Sequence, residues 1–81
     1  MRLRKIKKIH NGRYRQLGLR VAYYRKMAWY THEEFAEIIG KSPAFIGHVE
    51  ALNIKKTISL DTLFDIADAL DIQPHKLLIF N

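Results

Sequence analysis

The sequence contains no cysteine. That excludes disulfides, thiolate metal sites and thiol catalysis, and it suits a cytoplasmic protein. Long apolar runs are missing too: the longest spans three or four residues, as in "LLIF" at 77–80, far short of a membrane span. The basic start is not followed by an apolar stretch, so it does not read as a signal peptide. No glycine-rich phosphate loop can be assembled. The histidines His10, His32, His48 and His75 lack ligand spacing on any one helix, so the expected metal content is none. Glu33, Glu34 and Glu37 fall on a short surface helix, and no nucleophile, base and pocket come together. The expectation is therefore a protein that is not an enzyme, with no catalytic residues, no cofactor and no small-molecule substrate.

Acids are absent from the first 32 residues, which hold ten Lys or Arg, while residues 33–81 hold eight acids against four bases. The chain carries a net charge of +6, concentrated at one end. Such an end attracts polyanions: DNA, RNA or anionic lipid. Eighty-one residues make one domain with a small core, marginal in stability unless the chain oligomerises. Residues 1–12, "MRLRKIKKIHNG", read as a basic arm in which Arg2, Arg4, Lys5, Lys7 and Lys8 surround Leu3, Ile6 and Ile9. The arm is either an amphipathic turn or two, or a tail that orders on contact. Residues 13–81 read as the folded domain.

Helical periodicity fills that domain. Tyr14, Leu17, Val21 and Tyr24 share one face of a first helix from about Arg13 to Met27. Gly18 within it predicts a close helix-helix approach. Thr31 and Glu34 have capping-box spacing, Phe35, Ala36 and Ile39 form an inner face, and Gly40 stops a second helix. Ser42 caps a third helix with Pro43 at its first position, and Ile46 and Val49 point inward. The third helix ends near Ala51, with Asn53 available for a left-handed cap. Ser59 caps a fourth helix whose apolar stripe is Leu60, Leu63, Ile66, Ala67 and Leu70, opposite Asp61, Asp65 and Asp68. Gln73-Pro74 opens a last short helix, "PHKLLIF". The expected fold class is all-α, a compact five-helix bundle.

In order, these segments resemble the Cro/C1-type (XRE-like) helix-turn-helix family, which has a lambda-repressor-like DNA-binding fold. The resemblance rests on Leu17-Gly18 with Arg20 and Arg25, then "THEEFAEIIG", "SPAFIGHVE", "SLDTLFDIADAL" and "PHKLL". It covers about Tyr14 to Leu78. It implies that the second and third helices form the DNA-binding pair, with the third in the major groove of double-stranded DNA, and that the protein is a homodimer. It also implies a structural ion pair between Arg25 and Glu50.

Carried over by position, the resemblance implies base-facing residues Ser42, Pro43, Ala44, Phe45, Gly47 and His48, and phosphate-facing residues His32, Lys41, Lys55 and Lys56. The base-facing set departs from the family pattern. Direct readout uses Arg for guanine and Asn or Gln for adenine. Here Ser42 and His48 alone can hydrogen-bond through a side chain, Phe45 lies at the edge, and Gly47 permits only close backbone approach. Weak direct readout is expected, with the arm free to read DNA shape in a narrow minor groove.

Among the aromatics, Trp29 and Tyr30 sit between the first two helices, where one is expected to cover the core; core burial is the favoured place for Trp29. An exposed Trp29 would instead indicate a contact surface. Ile79 and Phe80 are candidates for a two-fold dimer contact. The leading functional expectation is a cytoplasmic transcriptional regulator, a repressor by occupancy. The principal alternative is a protein-interaction module or antitoxin on the same fold, docking a partner through Pro43, Ala44, Phe45 and Gly47. A membrane-surface binder using the arm is a further rival.

Overall fold

The computed structural model describes residues 10–51 and 56–80. The arm cations Arg2, Arg4, Lys5, Lys7 and Lys8 lie outside the described residues, as do Asn53 and Lys55. Four α-helices and one 3-10 helix follow in order: α1 (Asn11–Met27), α2 (His32–Ile39), α3 (Pro43–Glu50), α4 (Leu60–Leu70) and the 3-10 helix Pro74–Leu78. No strand occurs among the described residues. The expected fifth α-helix is thus replaced by a tighter turn. Pro74 opens it without a backbone donor, and the Lys76 amide closes an i→i+3 bond to the Gln73 carbonyl at 3.0 Å. A segment of five residues is too short to repay α-helix nucleation.

Local chemistry sets the helix starts. At α2 the Thr31 hydroxyl accepts from the Glu34 amide at 3.1 Å, and the Glu34 carboxylate accepts from the Thr31 amide at 2.9 Å. Ser42 Oγ accepts from the Phe45 amide at 3.1 Å, and Ser59 Oγ accepts from the Thr62 amide at 3.1 Å. Each cap satisfies a donor that the first turn leaves without a partner.

Three helices stop in the same way, with a left-handed residue: Trp29 (φ 65°), Gly40 (φ 71°) and Asp71 (φ 56°). Around each, the next amide returns to the carbonyl five residues back, as in Tyr30 N to Arg25 O at 3.2 Å and Lys41 N to Ala36 O at 2.8 Å. Gly40 adopts this conformation without strain, whereas Trp29 and Asp71 carry a Cβ that opposes it.

The core gathers Leu17 and Val21 from α1, Phe35, Ala36 and Ile39 from α2, and Ile46 and Val49 from α3. Leu63, Ile66, Ala67 and Leu70 come from α4, and Leu77 closes the bundle. Full burial of one such large side chain stabilises the fold by about 1.5–3 kcal/mol. Tyr14 and Tyr24 pack at the edge of this cluster.

Two expectations about the core fail. Leu60 belongs to the α4 stripe by spacing but is exposed. It lies in the first turn, next to the Ser59 cap, outside the cluster formed by the later turns. Trp29 is 90% exposed rather than core. Its left-handed backbone swings the indole off the body, and Tyr30 takes the inner place, stacked on Phe35 at 6.0 Å between ring centroids.

Candidate nucleic-acid interface

The α2–α3 pair is positioned from beneath by α1. Gly18 allows the α1 backbone to touch that of α3: a Cβ there would collide with the Val49 carbonyl oxygen. Seven residues further along α1, Arg25 reaches the end of α3. Its Nε and Nη2 donate to Glu50 Oε2 and Oε1 at 2.6 and 2.9 Å, and its Nη1 donates to the Tyr30 carbonyl at 2.7 Å. Both side chains are 9% exposed. The expected Arg25–Glu50 pair is therefore present, in the bidentate form that fixes orientation as well as distance. Hydrogen bonding to Glu50 first, and its charge second, hold the Arg25 pKa above the ordinary arginine value against the opposing effect of burial.

His32 joins this network. Its Nε2 stands 3.0 Å from Glu50 Oε1, and an ionised carboxylate can only accept, so the ring donates. The imidazole lies across α3 beside Gly47, whose absent side chain leaves that space. His32 is expected to face a phosphate; in the structure its ring binds Glu50 while the side chain stays 39% exposed. One carboxylate thus ties α1, α2 and α3 together at a single point. Sequence spacing gives no sign of the third partner, because His32 and Glu50 are 18 positions apart.

Above this anchor α3 presents its outer face. Ser42, Pro43, Ala44 and His48 are exposed, and Phe45 and Gly47 are half-buried. Ser42 Oγ already accepts the Phe45 amide, which leaves its hydroxyl one hydrogen to donate. Phe45 has an unforeseen setting: Lys41 Nζ lies 5.3 Å and Lys56 Nζ 5.2 Å from its ring centroid. The structure therefore brings two of the expected phosphate-facing cations, one before α3 and one after it, to the same edge of that helix. Among the described residues no group of His, Asp or Glu could hold a metal ion, and no helix is long and apolar enough to cross a membrane.

Elsewhere on α1, Arg20 Nε donates to the Ile79 carbonyl at 3.0 Å, a tether that no sequence pattern announced. It fixes the backbone next to the two dimer candidates. Ile79 is 38% exposed, and Phe80 is half-buried against the core.

The geometry has known counterparts. The family described as Helix-turn-helix matches residues 21–77. Among solved structures, the restriction-modification controller protein C.AhdI from Aeromonas hydrophila superposes with a TM-score of 0.77 at 28% sequence identity. That match covers 84% of this chain and 96% of the other. No curated protein matches the sequence. With more than half its length inside the matched span and the helix pair locked as described, the chain belongs to the helix-turn-helix family of the Cro/C1 (XRE-like) type.

Proposed function

We propose that this protein is a double-stranded DNA-binding transcriptional regulator that acts in the cytoplasm as a homodimer and represses by occupancy. One observation carries the reading: a rigidly anchored helix pair leaves the outer face of α3 open, with Lys41 and Lys56 at its edge. The controller protein C.AhdI shares the fold across nearly its whole length, which supports a role in controlling expression.

The mechanism begins with electrostatic capture by the basic end, which carries no acid before Glu33. Helix α3 then enters the major groove, and Lys41, Lys55 and Lys56 fix register on the phosphates. His48 supplies the principal hydrogen bond to a base edge. Pro43 and Ala44 contact a thymine methyl group, and Gly47 lets the backbone come close. Arg2, Arg4, Lys5, Lys7 and Lys8 add phosphate or minor-groove contacts. Ile79 and Phe80, held beside Arg20, provide the two-fold contact.

Titration with random and A/T-rich duplexes across a salt series tests the reading. Binding with a steep negative log-log salt slope, about 0.9 per phosphate contact, is the expected result. Absence of binding to any duplex at near-cellular salt would favour a protein-docking module instead. The exposed indole of Trp29 is the observation on that side.

A further inference from the structure

We propose that Lys41, Phe45 and Lys56 form a composite phosphodiester site in which Phe45 acts as a positioning residue rather than a base reader. The proposal rests on the DNA-binding reading above and adds a device to it. Both ammonium groups lie within cation–π range of one ring. Among the described residues no carboxylate pairs with either ammonium group. An ammonium group held over a ring keeps its N–H donors, so each lysine can still donate to a phosphate oxygen. Lys56 is half-buried in this position while Lys41 is exposed.

The placement suits a nucleic-acid backbone. Lys41 sits in the turn before α3 and Lys56 lies after it, so cations from both flanks of the groove-entering helix converge on its first turn. Phe45 is the third residue of α3, beside the exposed N-terminal residues Pro43 and Ala44. A flexible lysine loses much of its rotamer freedom on gripping a phosphate. The ring has already restricted both lysines, so less ordering remains on binding. Phe45 also packs against the core, which fixes the ring, and a phenyl ring forms no hydrogen bond to a base edge.

The test compares wild type, Phe45→Leu and Phe45→Tyr, each first shown by thermal melting to be folded. Duplexes of several unrelated sequences are titrated across a salt series. Phe45→Leu, which keeps the apolar bulk and removes the ring, is expected to weaken all duplexes alike by roughly 3- to 10-fold. Its salt slope should fall in magnitude by about 0.9–1.8. Phe45→Tyr should restore both. In the protein without DNA, the ε-methylene protons of Lys41 and Lys56 should be shifted upfield by the ring in wild type and Phe45→Tyr but not in Phe45→Leu. Unchanged affinity and slope in Phe45→Leu, with wild type binding normally, would overturn the composite site alone. A changed sequence preference at constant slope would make Phe45 a base reader and overturn it as well. Ring shifts present with no duplex bound by wild type would overturn the DNA-binding reading, and with it the ligand named here.

Discussion

The α-carbon of Gly18 faces the carbonyl oxygen of Val49 so closely that the two backbones leave no room for a methyl group. Helix propensity alone favours Gly18→Ala by about 1 kcal/mol. The collision is with backbone, which cannot rotate away as a side chain can, and overpacking of this kind costs about 1–3 kcal/mol or more. Gly18→Ala should therefore lower the thermal midpoint, because α1 is pushed off α3. Gly47→Ala is the matching control. A Cβ there meets only the His32 ring, at 3.9 Å, so the propensity gain survives and the midpoint should rise.

Loss of either Arg25 or Glu50 should be severe. Removing one leaves the other charged and almost wholly enclosed, a situation that costs about 3–5 kcal/mol. Thermal melts of Arg25→Ala, Glu50→Ala and the double variant form a cycle. The double variant should be less destabilised than the two single effects added together, by about 0.5–3 kcal/mol. The pH dependence follows from the raised Arg25 pKa. A cation whose folded pKa is raised contributes stability below its unfolded pKa and loses it only as pH climbs through the folded value. Arg25 should therefore contribute a flat stabilisation across neutral and moderately alkaline pH, lost only above the ordinary arginine range.

Trp29→Gly should stabilise the monomer. The indole makes the left-handed turn at φ 65° while 90% exposed, so it adds strain of about 1–2 kcal/mol and little packing. Glycine removes the strain but gives back some of the gain through a freer unfolded chain. A net rise in the midpoint of a few degrees is expected, since about 1 kcal/mol corresponds to 4–8 °C for a domain of this size. A fall would mean that the indole has a packing role in the free protein.

His48→Ala separates reading from gripping. His48 is exposed on α3 and is the residue proposed to make the main base contact. Its loss should reduce discrimination at one base position by about 1–3 kcal/mol. The salt slope should stay as in wild type, because no phosphate contact is removed. Selection from random duplexes with wild type and variant measures both quantities.

The helices and their caps were legible because each depends on residues three or four positions apart. Thr31 with Glu34, Ser42 with Phe45, and Ser59 with Thr62 made the bonds their spacing predicts. Gly18 announced a close approach, and the family resemblance paired Arg25 with Glu50 across 25 positions. Where the reading failed, the deciding contact was not local. Leu60 fits the α4 stripe by spacing, yet nothing in α4 itself tells that the stripe's first turn lies outside the core. Trp29 is apolar enough for a core, but the stop of α1 falls on it, and a left-handed turn at that residue sends the next one, Tyr30, inward.

Composition, periodicity and capping residues by themselves determined an all-helical chain with a basic end and two short helices joined by a tight turn, since hydrophobic spacing and backbone hydrogen bonding act within one or two turns; the DNA-binding form of that pair came from the family resemblance. Tertiary structure alone decided that His32 completes the Arg25–Glu50 anchor, that Lys41 and Lys56 share the ring of Phe45, and that Arg20 holds the Ile79 carbonyl. These contacts join residues from different elements, and only the packing of those elements brings their side chains within a few ångströms.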